Sequence, residues 1–397
     1  MAQVIVVGAG LGGLRAAESL RAQGFDVMVI GEEIHLPYNR PPLSKEALKG
    51  GVEMEGLYFR RKHDDIDWRL GAAVTGCSLA ERVVMVDDST YTFDGLVIAT
   101  GIRPRHLPVP GPQPQVLRTA EDALQLREQC TPGEALLVVG TDFIGCGVAA
   151  TARQLGCEVT VTAYDAEPML RALGVELGAA MKAHHEAHGV TFHLGQGVQK
   201  FHEDGVTLAD GTRLTADIVI EAVGSVANVE WLHGNDLDLS DGVLTDNLMR
   251  VVQPAKGDGS AGTTAGHTDV PVVAVGDIAR FPNPRFDDVP RRIEHWNMPT
   301  ETGKRAGQTL GSLLNGEEPT GDFRPMPSFW SDQYDIGLQS YGQAGLGTPT
   351  LVDGEWSGNC IVEYLRDGEV IGVVGVNRTK DLMHYRKEIG HEAVGGA

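Results

Sequence analysis

Val4-Ile5-Val6-Val7-Gly8-Ala9-Gly10-Leu11-Gly12-Gly13-Leu14-Arg15-Ala16-Ala17-Glu18 is the stretch whose reading decides the fold. Its β-branched opening reads as a buried parallel strand. The strand runs into G-x-G-x-x-G at Gly8, Gly10 and Gly13, and an Ala/Leu-rich helix follows, ending near Gly24. In such a turn the first glycine permits the tight bend. The second lets the backbone approach a pyrophosphate, and the third lets helix and strand pack closely. The helix N-terminus, with Leu11 and Gly12 in its first turn, offers N–H groups and a partial positive charge to phosphates. A second strand, Asp26 to Ile30, ends at Gly31-Glu32-Glu33. Glu32 stands where an acid binds a ribose hydroxyl, about 20 residues past the glycines. Strand, glycine turn, helix, strand and acid in this order predict a dinucleotide-binding α/β fold.

Working outward, a chain of 397 residues with 42% hydrophobic content and 51 glycines fits an α/β protein of two or three domains. No apolar run approaches the roughly 18 residues that span a bilayer. The opening residues already form the core strand and lack the basic and apolar regions of a signal peptide, so a cytoplasmic location is expected. A net charge of −21 argues against nucleic acid and anionic membranes as partners. The five cysteines, Cys77, Cys130, Cys146, Cys157 and Cys360, form no C-x-x-C, which disfavours disulfide-reductase chemistry. No Cys/His cluster has metal-ligand spacing, so no metal site is expected; His184, His185 and His188 read as a solvated helical face.

Leu36-Pro37-Tyr38-Asn39-Arg40-Pro41-Pro42-Leu43-Ser44-Lys45 comes next. Its prolines fix a rigid path that delivers two cations, Arg40 and Lys45, towards the phosphate glycines. With this stretch the chain resembles the FAD-dependent ferredoxin/rubredoxin reductase family. Relatives of that family include dioxygenase reductase components and apoptosis-inducing factor. The resemblance implies that Arg40 contacts FAD and that Lys45 lies near flavin N5. From Gly71 the pattern alternates, with Val74 at its start and a hairpin over 83–93. Asp94 to Gly101 then returns as a buried strand. Ala99-Thr100-Gly101, followed by Arg103, matches the family's next FAD-side signature.

Residues 133–229 repeat the design: a strand over 135–139, a helix from Ile144 to Leu155, a strand from Glu158 to Ala163, and Asp217 to Gly224 mirroring Asp94 to Gly101. This duplication predicts two stacked dinucleotide folds, and the family resemblance assigns NAD(P)H to the second. The second glycine motif reads Gly140-Thr141-Asp142-Phe143-Ile144-Gly145, with Asp142 where the middle glycine belongs. Its carboxylate repels phosphate, by about 1 kcal/mol in water and several in a less polar site. Gly147 stands where the family has a Glu that pairs with the Lys equivalent to Lys45, which leaves Lys45 without that partner and opens space. Ala163 occupies the expected acid position, with Asp165 as a substitute should the strand end shift.

Residues 246–272, rich in glycine, read as a loop. A buried strand from Val272 then delivers Gly276-Asp277 at a helix start; in such flavoproteins the Asp bonds a ribityl hydroxyl, and a buried Asp needs a partner. Glu294-His295-Trp296 matches the family's Glu-His-Trp, which puts Trp296 beside the isoalloxazine ring. Phe329-Trp330-Ser331-Asp332-Gln333-Tyr334 matches F-W-S-D-Q-Y and opens an antiparallel sheet closed by a helix near Lys380. The expected architecture is two Rossmann-like domains of the glutathione-reductase type plus a C-terminal α+β domain. FAD falls to residues 1–110 with 246–322, NAD(P)H to 111–245, and the last domain to 323–397. Three functions follow: an NAD(P)H-dependent reductase passing electrons from FAD to an iron–sulfur protein, an FAD enzyme acting directly on a small molecule with an impaired nicotinamide site, or, least favoured for want of a targeting segment or basic patch, a non-enzymatic flavin-bound interaction protein.

Overall fold

The structure, a computed structural model, describes residues 2–253 and 266–390. They form two compact units, each assembled from three stretches of chain. The first takes Met1–Asn39, Tyr58–Arg103 and Ala227–Pro327, and the second Arg40–Leu57, Pro104–Val226 and Ser328–Ala397.

The first unit is built on a parallel sheet in the order Val272–Ala274, Gly95–Ile98, Gln3–Val7, Asp26–Gly31, Asp67–Leu70. Val4, Ile5, Val6, Leu96, Val97, Ile98, Val273 and Ala274 are all fully enclosed, as a sheet covered on both faces demands. Helix Leu11–Ala22 covers one face, and helix Met298–Leu314 lies against it. Three glycines spaced four apart, Gly303, Gly307 and Gly311, permit that contact. A Cβ on Gly303 would sit 2.6 Å from the Gly12 carbonyl oxygen, and one on Gly307 2.5 Å from Ser19 Cβ.

The second unit repeats the plan with a parallel sheet ordered Val190–Leu194, Glu158–Ala163, Ala135–Val139, Ile218–Glu221. It also holds an antiparallel sheet ordered Ser328–Gln333, Ile336–Gly342, Glu369–Val376, Cys360–Arg366, Thr348–Gly354. The two are not separate hydrophobic bodies. Met169, Leu173, Leu177 and Met181 of the helical segment share one buried cluster with Phe329, Leu338, Tyr364 and Val374.

The hairpin over 83–93 consists of Val83–Val86 and Ser89–Thr92, extended by Val74–Ser78 into a third strand. Of the glycine-rich loop, Val252–Gln253 pairs with Gly266–His267, and the segment between lies outside the described residues. Gly276–Ile278 is a single 3-10 turn rather than the start of a long helix. The closing helical segment near Lys380 consists of a 3-10 turn at Thr379–Leu382 and one α-turn at Tyr385–Glu388. No helix among the described residues is long and apolar enough to cross a membrane.

Candidate functional site

Each glycine of the first turn answers to a different constraint. Gly8 has φ +115, and a Cβ there would lie 2.2 Å from the Ala99 carbonyl oxygen. Gly13 is equally forced, since its Cβ would meet the Gly8 carbonyl oxygen at 2.0 Å. Gly10 is different. Its φ of −87 and ψ of −171 suit any residue, and a Cβ there would meet nothing within 4 Å. Neither backbone nor packing asks for glycine at position 10. Its backbone is left bare at an uncapped helix N-terminus, an arrangement that suits the approach of a dinucleotide pyrophosphate.

Most of the expected site residues belong to the first unit. A Cβ on Gly12 would contact Val275 at 3.2 Å and the Gly276 nitrogen at 3.7 Å, so the helix start and the Gly276-Asp277 turn are neighbours. Thr302 fixes that turn by accepting the Gly276 N–H at 3.0 Å while donating to the Met298 carbonyl. Asn228 locks Thr100 from both sides: its amide donates to the Thr100 carbonyl, and its own carbonyl accepts the Thr100 hydroxyl, each at 2.9 Å. Thr302 and Asn228 carried no motif signal in the sequence. Glu32 is exposed at the end of its strand, while Glu33 accepts the Tyr38 hydroxyl at 2.5 Å. Asp277 is half-buried. Arg103 is held by Glu230 at 2.6 Å and by Asn228 at 2.9 Å, which pulls the Glu230 carboxyl below its usual range. Trp296 is 38% exposed, with its indole N–H donating to Asn39 at 3.1 Å. That exposure excludes a plain core role. Glu294 accepts from Arg292 at 2.6 Å, and burial lowers the His295 pKa to about 4. Val74 opens the Val74–Ser78 strand, and Gly101 turns the chain with φ +61.

Arg40 and Lys45 belong to the second unit. Arg40 donates to the Arg118 carbonyl at 2.8 Å. Lys45 does not lack a carboxylate, which corrects the sequence expectation: its Nζ lies 4.0 Å from Asp332 of the F-W-S-D-Q-Y stretch. Burial lowers the Lys45 pKa, and Asp332 opposes that shift. Gly147 does not open space either. A Cβ there would meet the Ser44 hydroxyl at 3.3 Å, and Thr151, one turn on, donates to the Ser44 carbonyl at 2.7 Å.

The second glycine turn copies the first bond for bond. Gly140 has φ +116 and would place a Cβ 2.0 Å from the Ala222 carbonyl. Gly8 N–H donates to Ile30 at 2.7 Å, and Gly140 N–H to Thr162 at 2.8 Å. Asp142 takes the place of Gly10 with the same extended backbone, φ −73 and ψ −179, and its side chain does not cap the helix. This equivalence also corrects the acid position. If Thr162 matches Ile30, then Glu32 corresponds to Tyr164, which is 81% exposed, and Asp165 corresponds to Glu33. The strand still ends at Ala163, so no shift brings Asp165 into register. All five cysteines are free and buried, and burial pushes the Cys77 and Cys130 thiols up to about 12, far from a reactive dithiol.

Residues 2–298 match the family described as pyridine nucleotide-disulphide oxidoreductase, and residues 328–395 match the reductase C-terminal family. The chain is 32% identical to rhodocoxin reductase of Rhodococcus erythropolis, across 98% of this chain and 90% of that protein. It is 31% identical to the ferredoxin–NAD(+) reductase component of the p-cumate 2,3-dioxygenase system of Pseudomonas putida, across 98% of this chain and 93% of that protein. Among solved structures, the covalent putidaredoxin reductase–putidaredoxin complex superposes with a TM-score of 0.85 at 30% identity, covering 98% of this chain and 93% of that one. The bare backbone at Gly10, the duplicated turn and these end-to-end similarities agree: the chain belongs to the pyridine nucleotide-disulphide oxidoreductase family, as an oxidoreductase of the ferredoxin-reductase type.

Proposed function

We propose that the protein is an FAD-dependent reductase that takes a hydride from NAD(P)H and passes single electrons to a ferredoxin-like iron–sulfur partner of an oxygenase system. The observation that carries this reading is the bare, uncapped helix N-terminus at Gly10, in a chain aligned along nearly its whole length with reductases named for such partners. Bound FAD would supply the exchange between two-electron and one-electron transfer. The chain's own residues hold and orient it: Gly8, Gly10, Leu11, Gly12 and Gly13 at the pyrophosphate, Glu32 at the ribose, and Gly276-Asp277 at the ribityl chain. Lys45 and Trp296 are the residues we assign to the reacting end. We keep the assignment of residues 1–110 with 246–322 to FAD, and we infer a cytoplasmic location from the acidic chain with its buried free thiols.

Mixing the purified yellow protein anaerobically with NADH or NADPH tests the proposal. Rapid bleaching of the flavin band, followed by its recovery on adding an oxidised [2Fe–2S] ferredoxin, is the expected result. No bleaching at millimolar donor overturns it. Asp142 favours a second reading, in which the nicotinamide nucleotide is poorly held and the flavin site oxidises a small molecule directly. Bleaching by a small organic substrate but by neither nucleotide would select that reading.

A further inference from the structure

Away from both glycine turns, within the second unit, the C-terminal end of helix Leu170–Ala187 meets the hairpin that joins Ser328–Gln333 to Ile336–Gly342. His184, His188 and Asp335 converge there, with one donor atom from each lying within 4.8 Å of the others. The two histidines share one helical face, and Asp335 arrives from a distant part of the chain, so the sequence alone did not disclose the cluster. His185, between them, points elsewhere: it is fully buried against Gln333 at 2.6 Å, which corrects the reading of all three as a solvated face.

We propose that His184, His188 and Asp335 form a binding site for a divalent first-row transition ion, Zn2+ foremost, that pins the hairpin tip to the helix end. His184 Nε2 lies 3.0 Å from Asp335 Oδ1. Two ligands of one tetrahedral Zn2+, each at about 2.0–2.1 Å, stand about 3.3 Å apart, so this edge of the site is already formed. His188 Nδ1 donates to the His184 carbonyl at 2.9 Å, which leaves Nε2 with its lone pair. Ligating histidines are commonly tied through their other nitrogen in this way. Tyr334, at the hairpin tip with φ +57, stacks on the His188 ring at 3.9 Å and 13° and fixes its plane. Three protein donors leave one tetrahedral position open. His188 and Asp335 also line a recess of about 440 Å³ with Arg153, Gln154 and Tyr334. The Arg153 guanidinium is held on the backbone carbonyls of His188 and Cys157. Its charge opposes the cation and favours a small anion over water in the open position. Imidazole donors select Zn2+, Cu2+ or Ni2+ over Mg2+ and Ca2+, which prefer all-oxygen shells.

Calorimetric titration of ZnCl2 into tag-free, chelator-treated holoprotein tests the site. The expected result is saturable uptake of one Zn2+ per chain, with a rise in Tm and no comparable response to CaCl2. His188→Ala and Asp335→Asn should each weaken binding at least about tenfold. Asp335 is 80% exposed, so its near-isosteric replacement leaves the fold intact. Absence of saturable Zn2+ uptake by the wild-type chain overturns the proposal. So does an unchanged isotherm for His184→Gln/His188→Gln/Asp335→Asn.

Discussion

Asp142 is the residue whose replacement says most about the nicotinamide site. It has the backbone of Gly10 and differs by a carboxylate at the point where a diphosphate must approach. Asp142→Gly removes both the bulk and the like charge, and should lower the KM for NADH in flavin reduction by at least about fivefold, given roughly 1 kcal/mol or more of repulsion. Stopped-flow bleaching at varied NADH reads that change. An unchanged KM would locate the nucleotide elsewhere. Lys45 gives a second residue-scale expectation. Because burial depresses its pKa, the unfolded chain binds the extra proton between that value and the usual 10.5, so stability rises with pH across this window. Lys45→Met should remove that rise, as seen in urea unfolding at increasing alkaline pH, and should also slow flavin reduction. Equal reduction rates would take Lys45 out of the reacting end. Both residues stood out in the sequence. The partner of Lys45 did not, because Asp332 lies far along the chain and inside a motif with no charge-pairing signature.

Among the elements, the pairing of helices Leu11–Ala22 and Met298–Leu314 positions the phosphate turn. Gly303→Val would drive a branched side chain into the Gly12 carbonyl, which stands only 2.6 Å from the first added carbon. The helices must separate, at a cost of about 1–3 kcal/mol, and the Gly276 turn beside Gly12 moves with them. The expected outcome is a lower Tm together with flavin lost on gel filtration, read as a fallen ratio of flavin to protein absorbance. Retained flavin at a normal Tm would show that this contact does not govern the cradle. The strands, the first helix and the duplication were legible in the sequence, since β-branched runs, glycine turns and helical spacing are local signals. The glycine ladder of Gly303, Gly307 and Gly311 was not singled out, because its meaning depends on which helix lies opposite. The correspondence of Tyr164 with Glu32 was legible as well, since each stands equally far past the first glycine of its turn, Gly140 and Gly8, and the strand hydrogen bonds give the same register.

For the whole molecule, acid and truncation are the informative perturbations. His295 is kept neutral by desolvation, with its pKa lowered from 6.5 to about 4. Between those values the unfolded chain holds a proton that the folded chain does not, so stability falls as pH falls, by up to about 1.4 kcal/mol per pH unit from this one group. His295→Gln should flatten that limb in urea titrations run from pH 6.5 to 4; an identical slope would assign the loss to other groups. A chain ending at Pro327 should fail more severely. It would strip Phe329, Leu338, Tyr364 and Val374 from the cluster they share with Leu173 and Met181, leaving the second parallel sheet and its helix with an exposed apolar face. Insoluble or protease-sensitive product is expected, and a soluble, protected fragment would refute the shared core. The segmentation has a consequence for biosynthesis. The polypeptide changes allegiance five times on its way out of the ribosome, and the strand at Val272–Ala274 completes a sheet begun at Gln3. The strand Gly95–Ile98, whose outer edge Val272–Ala274 takes, therefore waits half-dressed while residues 99–271 are made, and chaperones that shield apolar edges have their longest window on this stretch of the message.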